Sequence, residues 1–274
     1  MLVYNEEMAL SFYDRIFPQT DPFHTEFFCL AARKKYMTQE QKEKTNLGDT
    51  CMMAKIILKE HSRELFLSKL HQVDASSPFF LDRDNNPIPQ SCMTVYLNLN
   101  RTDLLKALKS FKGLLNDWEY DLLSALQFTN DNKADNLGRQ LKTVQNNLLK
   151  AFQDPKNCED RWLDIDCDIG TDFDAFSYKE KMASLLGCND SIILCTHGGC
   201  HILIPKWVIS AYNKILSETV PREKMKEHVL YPERILSYVR DIMKDKDAKE
   251  IKLNQNLAVP LPGTIVNGFE VHFI

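Results

Sequence analysis

The sequence lacks the patterns that would assign it to several common classes of protein. It has no Cys-x-x-Cys pair among its eight cysteines, no internal repeat and no low-complexity segment. No apolar run reaches the roughly 20 residues that a membrane-spanning helix needs. The first residues include acidic side chains and lack the basic region with which a secretory signal begins. We therefore expect a cytoplasmic protein with reduced cysteines and no contact with a membrane.

The chain also lacks an excess of basic residues. Its 34 lysines and arginines are outnumbered by 38 aspartates and glutamates, and the formal net charge is -4 at pH 7. A strongly basic chain would point directly to nucleic acid. This balance neither indicates nor excludes such a partner, because a local basic groove can coexist with an acidic metal site. With 274 residues, 44% of them hydrophobic, the chain is long enough to bury a sizeable core.

The first half of the chain divides into two regions that differ in sequence composition and in predicted secondary structure. The region over about 1–105 is mixed and contains a predicted strand at 93–98. The region over about 106–155 is predicted to be helical, and its second helix covers 136–152. The basic residues of that second helix indicate either a solvated face or part of a template groove. The leucines expected to share one face of the first helix are Leu104, Leu105 and Leu108.

A third region, over about 160–274, alternates strands with helices. A hairpin with Asn267 and Gly268 in its turn is predicted near the end of the sequence. No segment has the composition of a flexible linker, so we expect one compact unit with two lobes. The predicted strands are 163–168, 191–195 and 201–205, and the predicted helices are 207–217 and 224–244.

Three carboxylates lie on one face of the predicted strand 163–168, whose sequence is LDIDCD. Alternate side chains of a strand point to opposite faces, so Asp164, Asp166 and Asp168 form a row. Like charges this close repel one another, and a divalent cation with a preference for oxygen ligands, Mg²⁺ or Mn²⁺, removes that repulsion. Such a strand suits the two-metal chemistry of nucleotidyl transfer. The alternative is an edge strand whose charges deter aggregation.

A histidine follows a glycine pair in the segment SIILCTHGGCHILIPK, over 191–206. Gly198 and Gly199 permit positive φ and a close approach of the backbone to a ligand. Turn amides together with the His201 imidazole are suited to binding a triphosphate. Two other interpretations stay open, a histidine that is merely a satisfied polar residue and a zinc site of unusual spacing. The residues of that zinc site would be Cys195, His197, Cys200 and His201.

Together the two segments resemble the archaeo-eukaryotic primase superfamily, the primase-polymerases. The first motif of that superfamily is an apolar strand that ends in Asp-x-Asp or Asp-x-Glu, which matches Asp164 and Asp166. The second is a small residue and a histidine at a strand–turn–strand, which matches Gly199-Cys200-His201, 35 residues further on (201 − 166). Glycine in place of the usual serine is similar to the Gly-Gly-x-His variants of phage and plasmid members.

The third motif of that superfamily, an acid shortly before Pro-Gly-Ser/Thr, is matched only in part. The signature is present as Pro262-Gly263-Thr264, whereas the aligned acid position falls near Asn254. Asparagine offers a neutral oxygen, which is a weaker ligand for a cation than a carboxylate, and Asp168 is a candidate to compensate. This departure favours the alternative of a nucleic-acid-binding accessory protein that has the fold without full activity.

The resemblance implies an α+β fold, in which an RRM-like mixed or antiparallel sheet joins an N-terminal α/β lobe and the active site lies between them. It implies a DNA primase or polymerase that uses NTP or dNTP on a DNA template, in a bacterial cell or a phage-infected host. A separate helicase or other replication proteins would be partners. The implied ligands of Mg²⁺ or Mn²⁺ are Asp164, Asp166, Asp168 and Asn254.

The resemblance also implies contacts to the nucleotide from several segments. Arg33 lies in AARKKY, which is similar to a basic segment in the N-terminal lobe of mobile-element members. Arg101 lies in NLNRTDLLKA, which is similar to the Asn-Pro-Arg stretch of the same group, without the proline. Both side chains are suited to meet phosphates, and an ordinary solvated charge is the alternative for each. The full set of implied nucleotide-binding residues is Thr196, Gly198, Gly199, His201, Arg33 and Arg101.

Overall fold

The computed structural model describes residues 1–18, 23–58, 60–128, 143–144, 146–152, 154–244, 250–254 and 258–274. Within these residues the chain is α+β, and each of its two larger sheets is antiparallel throughout. This agrees with the α+β class expected from the sequence. No helix in the described ranges has both the length and the apolar composition to cross a membrane.

The first sheet is formed mainly by N-terminal residues. Its central strand, β1 (His24–Arg33), is buried almost throughout and pairs with β2 (Thr50–Leu58) and β3 (Met93–Asn98). The strand predicted at 93–98 is therefore confirmed. Helices α1 (Glu6–Ile16) and α3 (Arg63–Ser76) contribute aromatic and aliphatic side chains to the same core as β1. A short helix, α2 (Gln39–Lys44), lies between β1 and β2 in the sequence.

The long helix α4 (Leu104–Phe128) follows the two-residue strand β4 (Thr102–Asp103), which pairs with the beginning of β1. The leucines predicted to share a face of this helix do not form its buried side, because Leu105 and Leu108 are 67% and 51% exposed whereas Ala107 is fully buried. In α4, leucines at helical spacing therefore lie on the solvent-exposed side. The predicted second helix is helical at 146–152, and most of its remaining residues lie outside the described ranges.

The second sheet has a β-α-β-β-α-β connectivity. Its first four strands in chain order are β5 (Trp162–Asp168), β6 (Ile192–Thr196), β7 (Gly199–Pro205) and β8 (Glu250–Leu253). Across the sheet these strands lie in the order β6-β7-β5-β8, so the first and third are central. That order and connectivity is the ferredoxin-like arrangement. The three strands predicted in this region are therefore confirmed.

Helices join these strands and cover one face of the second sheet. The first connection is α5 (Ala175–Leu186), and the second contains α6 (Lys206–Thr219), α7 (Arg222–Met225) and α8 (Pro232–Ile242). The single helix predicted at 224–244 is wrong, because Pro232 begins a new helix and cannot continue one from the preceding turn. Leu163, Ile165 and Cys167 pack under these helices, as the alternation predicts.

The last part of the chain joins the two sheets. Strand β9 (Ala258–Pro260) pairs with β3 in the first sheet, whereas β12 (His272–Phe273) pairs with β6 in the second. Between them, β10 (Ile265–Val266) and β11 (Phe269–Glu270) form the predicted hairpin. Its turn residues Asn267 and Gly268 have φ of 51° and 79°, as a type I′ turn requires. The region predicted as one catalytic lobe therefore also supplies a strand to the first sheet.

The Pro262-Gly263-Thr264 segment contacts the beginning of the chain. The backbone N–H groups of Tyr4 and Asn5 donate to the Gly263 carbonyl at 2.8 and 3.1 Å. Gly263 has φ +81°, and a Cβ atom on it would lie 2.1 Å from the Asn5 carbonyl oxygen. Only glycine fits this approach, so the signature stabilises the junction between α1 and the C-terminal strands.

Candidate functional site

A cluster of polar side chains lies on the two central strands of the second sheet, on the face away from its helices. Asp164 and Asp166 are on β5 and His201 is on β7, where it pairs in register with Asp166. The Nδ1 atom of His201 lies 3.0 and 3.2 Å from the two carboxylate oxygens of Asp164. Its Nε2 atom lies 3.7 Å from Oδ1 of Asp166. The structure thus brings together the first two motifs identified in the sequence.

Asn254 joins the cluster from the end of β8. Its side-chain Nδ2 donates to Oδ2 of Asp164 at 2.6 Å, and its backbone N–H donates to the Asp164 carbonyl at 2.9 Å. The Asp164 side chain is completely buried as a result. The sequence placed Asn254 beside the acids correctly, but the contact is made by its amide N–H group to a carboxylate.

The carboxylates of the cluster influence the pKa values of its titratable groups. Burial alone would lower the pKa of His201, but the carboxylate of Asp164, followed by those of Asp166 and Asp168, raises it overall. Burial raises the pKa of Asp166, and its neighbours Asp168 and Asp164 add to that effect although His201 opposes it. Carboxylates in such a row favour a bound cation, which lowers their mutual repulsion.

A basic segment after the first sheet's strand β1 lies near the site, where the Tyr36 ring is 5.6 Å from the ring of His197 in the β6–β7 turn. The charges of Asp166 and Asp168 act on Lys35 and on the Tyr36 hydroxyl, in the turn that follows β1. The pKa of Lys35 is lowered by burial first and by Arg33 second, while the two aspartates oppose the change. Arg33 and Lys35 thus form a basic wall within electrostatic range of the acidic row, an arrangement that suits a metal-bound polyphosphate.

Arg33 is held in this wall by a tyrosine. Its Nη1 donates to the Tyr96 hydroxyl at 2.7 Å, and its guanidinium carbon lies 5.9 Å from the centroid of that ring. The Arg33 Nε atom is buried without a hydrogen-bond partner, which is costly unless a ligand or water provides an acceptor. Burial raises the pKa of Tyr96 to about 12, so the hydroxyl stays protonated beside the arginine.

Sequence reasoning missed Lys35, Tyr36 and Tyr96 as parts of the site. Tyr96 lies 63 residues from Arg33 in the sequence, and only the pairing of β1 with β3 brings them together. Lys35 and Tyr36 do immediately follow Arg33, and the basic character of AARKKY was the signal that could have found them.

The glycine turn between β6 and β7 is shaped by the neighbouring strand. Gly199 has φ +146°, and a Cβ atom on it would lie 2.0 Å from the carbonyl oxygen of Cys167 on β5. The hydroxyl of Thr196 donates to the Gly199 carbonyl at 3.3 Å, within the turn itself. A Cβ on Gly198 would lie 3.2 Å from Oδ1 of Asp168. The close approach predicted for a ligand is thus made by protein backbone, and contact with a nucleotide stays a prediction.

Arg101 lies in the interior of the first lobe. Its Nη2 is 3.0 Å from Oε1 of Glu26, and both side chains are 3% exposed. The guanidinium also lies over the Phe17 ring at 5.2 Å, and His61 contacts the same glutamate at 3.0 Å. The charge that the resemblance assigned to phosphate is thus balanced by Glu26.

The four residues of the alternative zinc site do not converge. Cys195 and Cys200 pair across β6 and β7 and belong to the buried core under the helices. His201, next to Cys200 on the same strand, faces the other way toward Asp164. His197 lies in the turn, 3.2 Å from the side chain of Asn267. A tetrahedral site needs all four on one side of the sheet, so this geometry does not support zinc there.

The oxygen donors of the site match a hard divalent cation in chemistry. Among the described residues, no group of three or more His, Cys, Asp or Glu side chains converges closely enough to hold a metal by itself. Asp166 and Asp168 are half-buried and on one face of β5. Mg²⁺ commonly takes one or two carboxylates and completes its shell with water and substrate phosphates, so this pair fits such an ion.

Comparisons with known proteins add no relative. No protein-family model matches the chain, no curated protein matches it, and no solved structure matches it. Any functional assignment therefore depends on the contacts and charges of the cluster.

Proposed function

We propose that the chain is a metal-dependent nucleotidyltransferase of the primase-polymerase type, which extends or starts a nucleic-acid strand on a DNA template. The observation that carries the proposal is the placement of Asp166 and His201 side by side on the two central strands of a β-α-β-β-α-β sheet. Lys35, which follows Arg33 closely in the chain, interacts electrostatically with Asp166 and Asp168. An acidic row and a basic wall together match a nucleotide that carries both phosphates and a cation.

In this mechanism the residues of the chain mainly hold and orient charged groups. Asp166 and Asp168 would hold Mg²⁺ or Mn²⁺, which when bound activates the attacking 3′-hydroxyl and steadies the leaving pyrophosphate. His201 is fixed at Nδ1 by Asp164, so its Nε2 is directed toward the Asp166 side of the cleft. With both ring nitrogens protonated in the nucleotide complex, Nε2 would donate to a phosphate oxygen there. Arg33, with a buried Nε that lacks a partner, and Lys35 neutralise the phosphates from the other wall.

The proposed chemistry needs no large excess of basic residues. Phosphoryl transfer depends mostly on positioning and on charge stabilisation in a site with little water. The half-buried acids and the adjacent basic wall provide local fields of both signs. A formal net charge of -4 for the whole chain is compatible with that local arrangement.

An incorporation assay tests the proposal. The protein is incubated with primed and unprimed DNA templates, labelled NTP or dNTP, and Mg²⁺ or Mn²⁺. We expect incorporation by the wild type and a loss of at least about a hundredfold in Asp166→Asn. Asp241→Asn is the matched control, because Asp241, on α8, is exposed and forms an ion pair with the exposed Lys244. Wild-type protein that incorporates nothing under any of these conditions would overturn the proposal.

One observation favours a second candidate, a nucleic-acid-binding accessory protein. Asn254 and His201 both form hydrogen bonds to the carboxylate of Asp164. Fewer carboxylates are therefore available to bind the two cations that nucleotidyl transfer uses. Such a protein would bind the primed template in a mobility-shift assay and incorporate no nucleotide with either metal. Binding with incorporation supports the enzyme, whereas binding without it supports the accessory protein.

A further inference from the structure

We infer that Asp164 is a positioning residue, which Asn254 holds in place and which orients His201, and that Asp166 and Asp168 are the carboxylates that bind the cation. We call the hydrogen bonds of Asp164 with His201 and Asn254 the clamp. The inference rests on the proposed function only for the presence of a divalent cation. It separates the three acids of one strand, which the sequence treats alike, into two different roles.

Hydrogen-bond partners occupy both carboxylate oxygens of Asp164. His201 Nδ1 lies within 3.2 Å of both carboxylate oxygens, and Asn254 Nδ2 lies 2.6 Å from Oδ2. The side chain has no exposed surface. A cation could reach these oxygens only by displacing His201 or Asn254. Either displacement leaves a buried polar group unpaired, which costs free energy that the clamp now avoids.

Asn254 suits the role of holding the Asp164 carboxylate in place. It would not suit the role of binding a metal ion jointly with Asp164. Its amide N–H group complements a carboxylate, and its backbone N–H group bonds the Asp164 carbonyl as well. An acid at position 254 would place two carboxylates 2.6 Å apart inside the protein, and such a pair cannot both ionise without a cation. The amide therefore fixes Asp164 in the absence of metal.

The clamp determines which nitrogen of His201 faces the cleft. An ionised carboxylate only accepts hydrogen bonds, so Nδ1 must carry the proton that it donates to Asp164. The other nitrogen, Nε2, then points toward Asp166. A ring held in this way has its tautomer and direction set by the carboxylate behind it. Asp164 thus acts on a nucleotide through His201.

Asp166 and Asp168 remain as the acids that can contact a cation. Both are half-buried, so each has carboxylate surface available, and 28% of the Asp166 side chain is exposed. Two residues apart on a strand, their Cα atoms are about 7 Å from each other, which allows both carboxylates to reach one ion. Both also interact electrostatically with Lys35, and the phosphates of a bound nucleotide would complete the coordination.

Mn²⁺ binding without nucleotide or template tests the inference. The affinity of each folded variant is measured from the electron paramagnetic resonance signal of free Mn²⁺. We expect Asp164→Asn to stay within about fivefold of the wild type, while Asp166→Asn and Asp168→Asn each lose at least about tenfold. Asp241→Asn is the matched control. A loss in folded Asp164→Asn equal to that in Asp166→Asn would overturn the inference.

A second readout follows the His201 ring. In Asp164→Asn the single amide oxygen accepts from Asn254, so the amide NH₂ group faces Nδ1 and Nδ1 must become an acceptor. The proton then moves to Nε2, and ¹H–¹⁵N correlation spectra of histidine-labelled protein report that change. The His201→Gln variant identifies the resonance. An unchanged tautomer in folded Asp164→Asn would contradict the positioning role.

Asn254→Ala decides the matter should Asp164→Asn fail to fold. This substitution frees one oxygen of Asp164 and removes no charge. Mn²⁺ affinity within about fivefold of the wild type supports the inference, and a larger change in either direction shows that Asp164 takes part in binding the ion. Wild-type protein that binds no Mn²⁺ overturns the inference. The two proposals can fail separately. If Asp164→Asn still binds Mn²⁺ and the wild type incorporates no nucleotide, the inference about Asp164 holds and only the proposed nucleotidyltransferase activity is overturned.

Discussion

A Cβ atom on Gly199 would lie 2.0 Å from the carbonyl oxygen of Cys167 and 2.8 Å from the backbone nitrogen of Ile169. The turn between β6 and β7 thus packs on the end of the strand that carries the acids. The backbone of Gly170 adds a hydrogen bond to the Gly198 carbonyl at 3.0 Å. Because both contacts are made by backbone, neither can shift without moving β5.

Gly199→Ala is expected to destabilise the protein by about 3 kcal/mol or more, from backbone strain and steric overlap together. Gly268→Ala is the matched control, because Gly268 also has positive φ (79°) but has open space around it. Gly268→Ala should lower the free energy of unfolding by only about 1–2 kcal/mol, from backbone strain alone. Urea denaturation gives both values. Equal losses in the two variants would show that the contact with Cys167 does not matter.

Arg101→Met is expected to lower the free energy of unfolding by about 3–5 kcal/mol, because it leaves the buried Glu26 carboxylate without its main charge partner. The measurement is urea denaturation at neutral pH. Arg63→Met is the control, since Arg63 forms a partly exposed pair with Asp14 and should lose about 1 kcal/mol or less. A folded Arg101→Met variant of normal stability and reduced nucleotide affinity would restore the phosphate-binding role.

Asp82 gives the stability of the protein a dependence on acidic pH. Burial alone raises the pKa of Asp82, but hydrogen bonds from backbone N–H groups outweigh it and hold the pKa at about 2. The unfolded chain has an aspartate pKa of about 3.9, so the stabilisation is complete above that value and is lost as pH falls through about 2. The amides that donate belong to Asn46, Asp84 and Asn86.

Asp82→Asn should therefore unfold at a lower temperature than the wild type at neutral pH, and the difference should shrink as the pH falls from about 4 to about 2. Thermal unfolding followed by circular dichroism measures it. Asp84→Asn, an exposed position in the same loop, serves as the control with little effect at any pH. A difference that stays constant down to the lowest pH would contradict the assignment.

Arg33→Gln is expected to weaken nucleotide binding by about tenfold or more under the proposed function, because a charge-assisted hydrogen bond to phosphate is lost. Tyr96→Phe should weaken it less, since it removes the acceptor for Arg33 Nη1 but keeps the ring beneath the guanidinium. Fluorescence titration with a labelled triphosphate measures both affinities. Lys44→Gln, which loses only an exposed pair with Glu40, is the control. Unchanged affinity in Arg33→Gln would remove this side chain from the site.

Strand patterns in the sequence were informative wherever a segment had one buried face. The alternation of LDIDCD placed Leu163, Ile165 and Cys167 under the helices and the acids on the other face, and the structure has that arrangement. Asn267-Gly268 predicted its turn because the required positive φ is a local property. Helical spacing was a weaker guide. Leu105 and Leu108 follow a helical period but are largely exposed, since periodicity does not say which face meets another element.

The roles of individual site residues depended on contacts between distant segments. Asn254 reaches Asp164 from 90 residues away, and Arg101 meets Glu26 from 75 residues away. Neither contact can be predicted from the local sequence around these residues. The same chemical group can bind phosphate or balance a buried acid, and the difference depends on burial and on the partner that the fold supplies.

The sequence by itself determined the row of acids on one strand, the histidine after a glycine turn and the α+β character, because each follows from side-chain alternation or from local backbone freedom. Only the tertiary structure decided that Asp164 is enclosed by His201 and Asn254 while Asp166 faces the cleft. Identical carboxylates acquire different properties through burial and hydrogen bonding. Those depend on which strands lie next to β5, and strand order is a property of the whole chain.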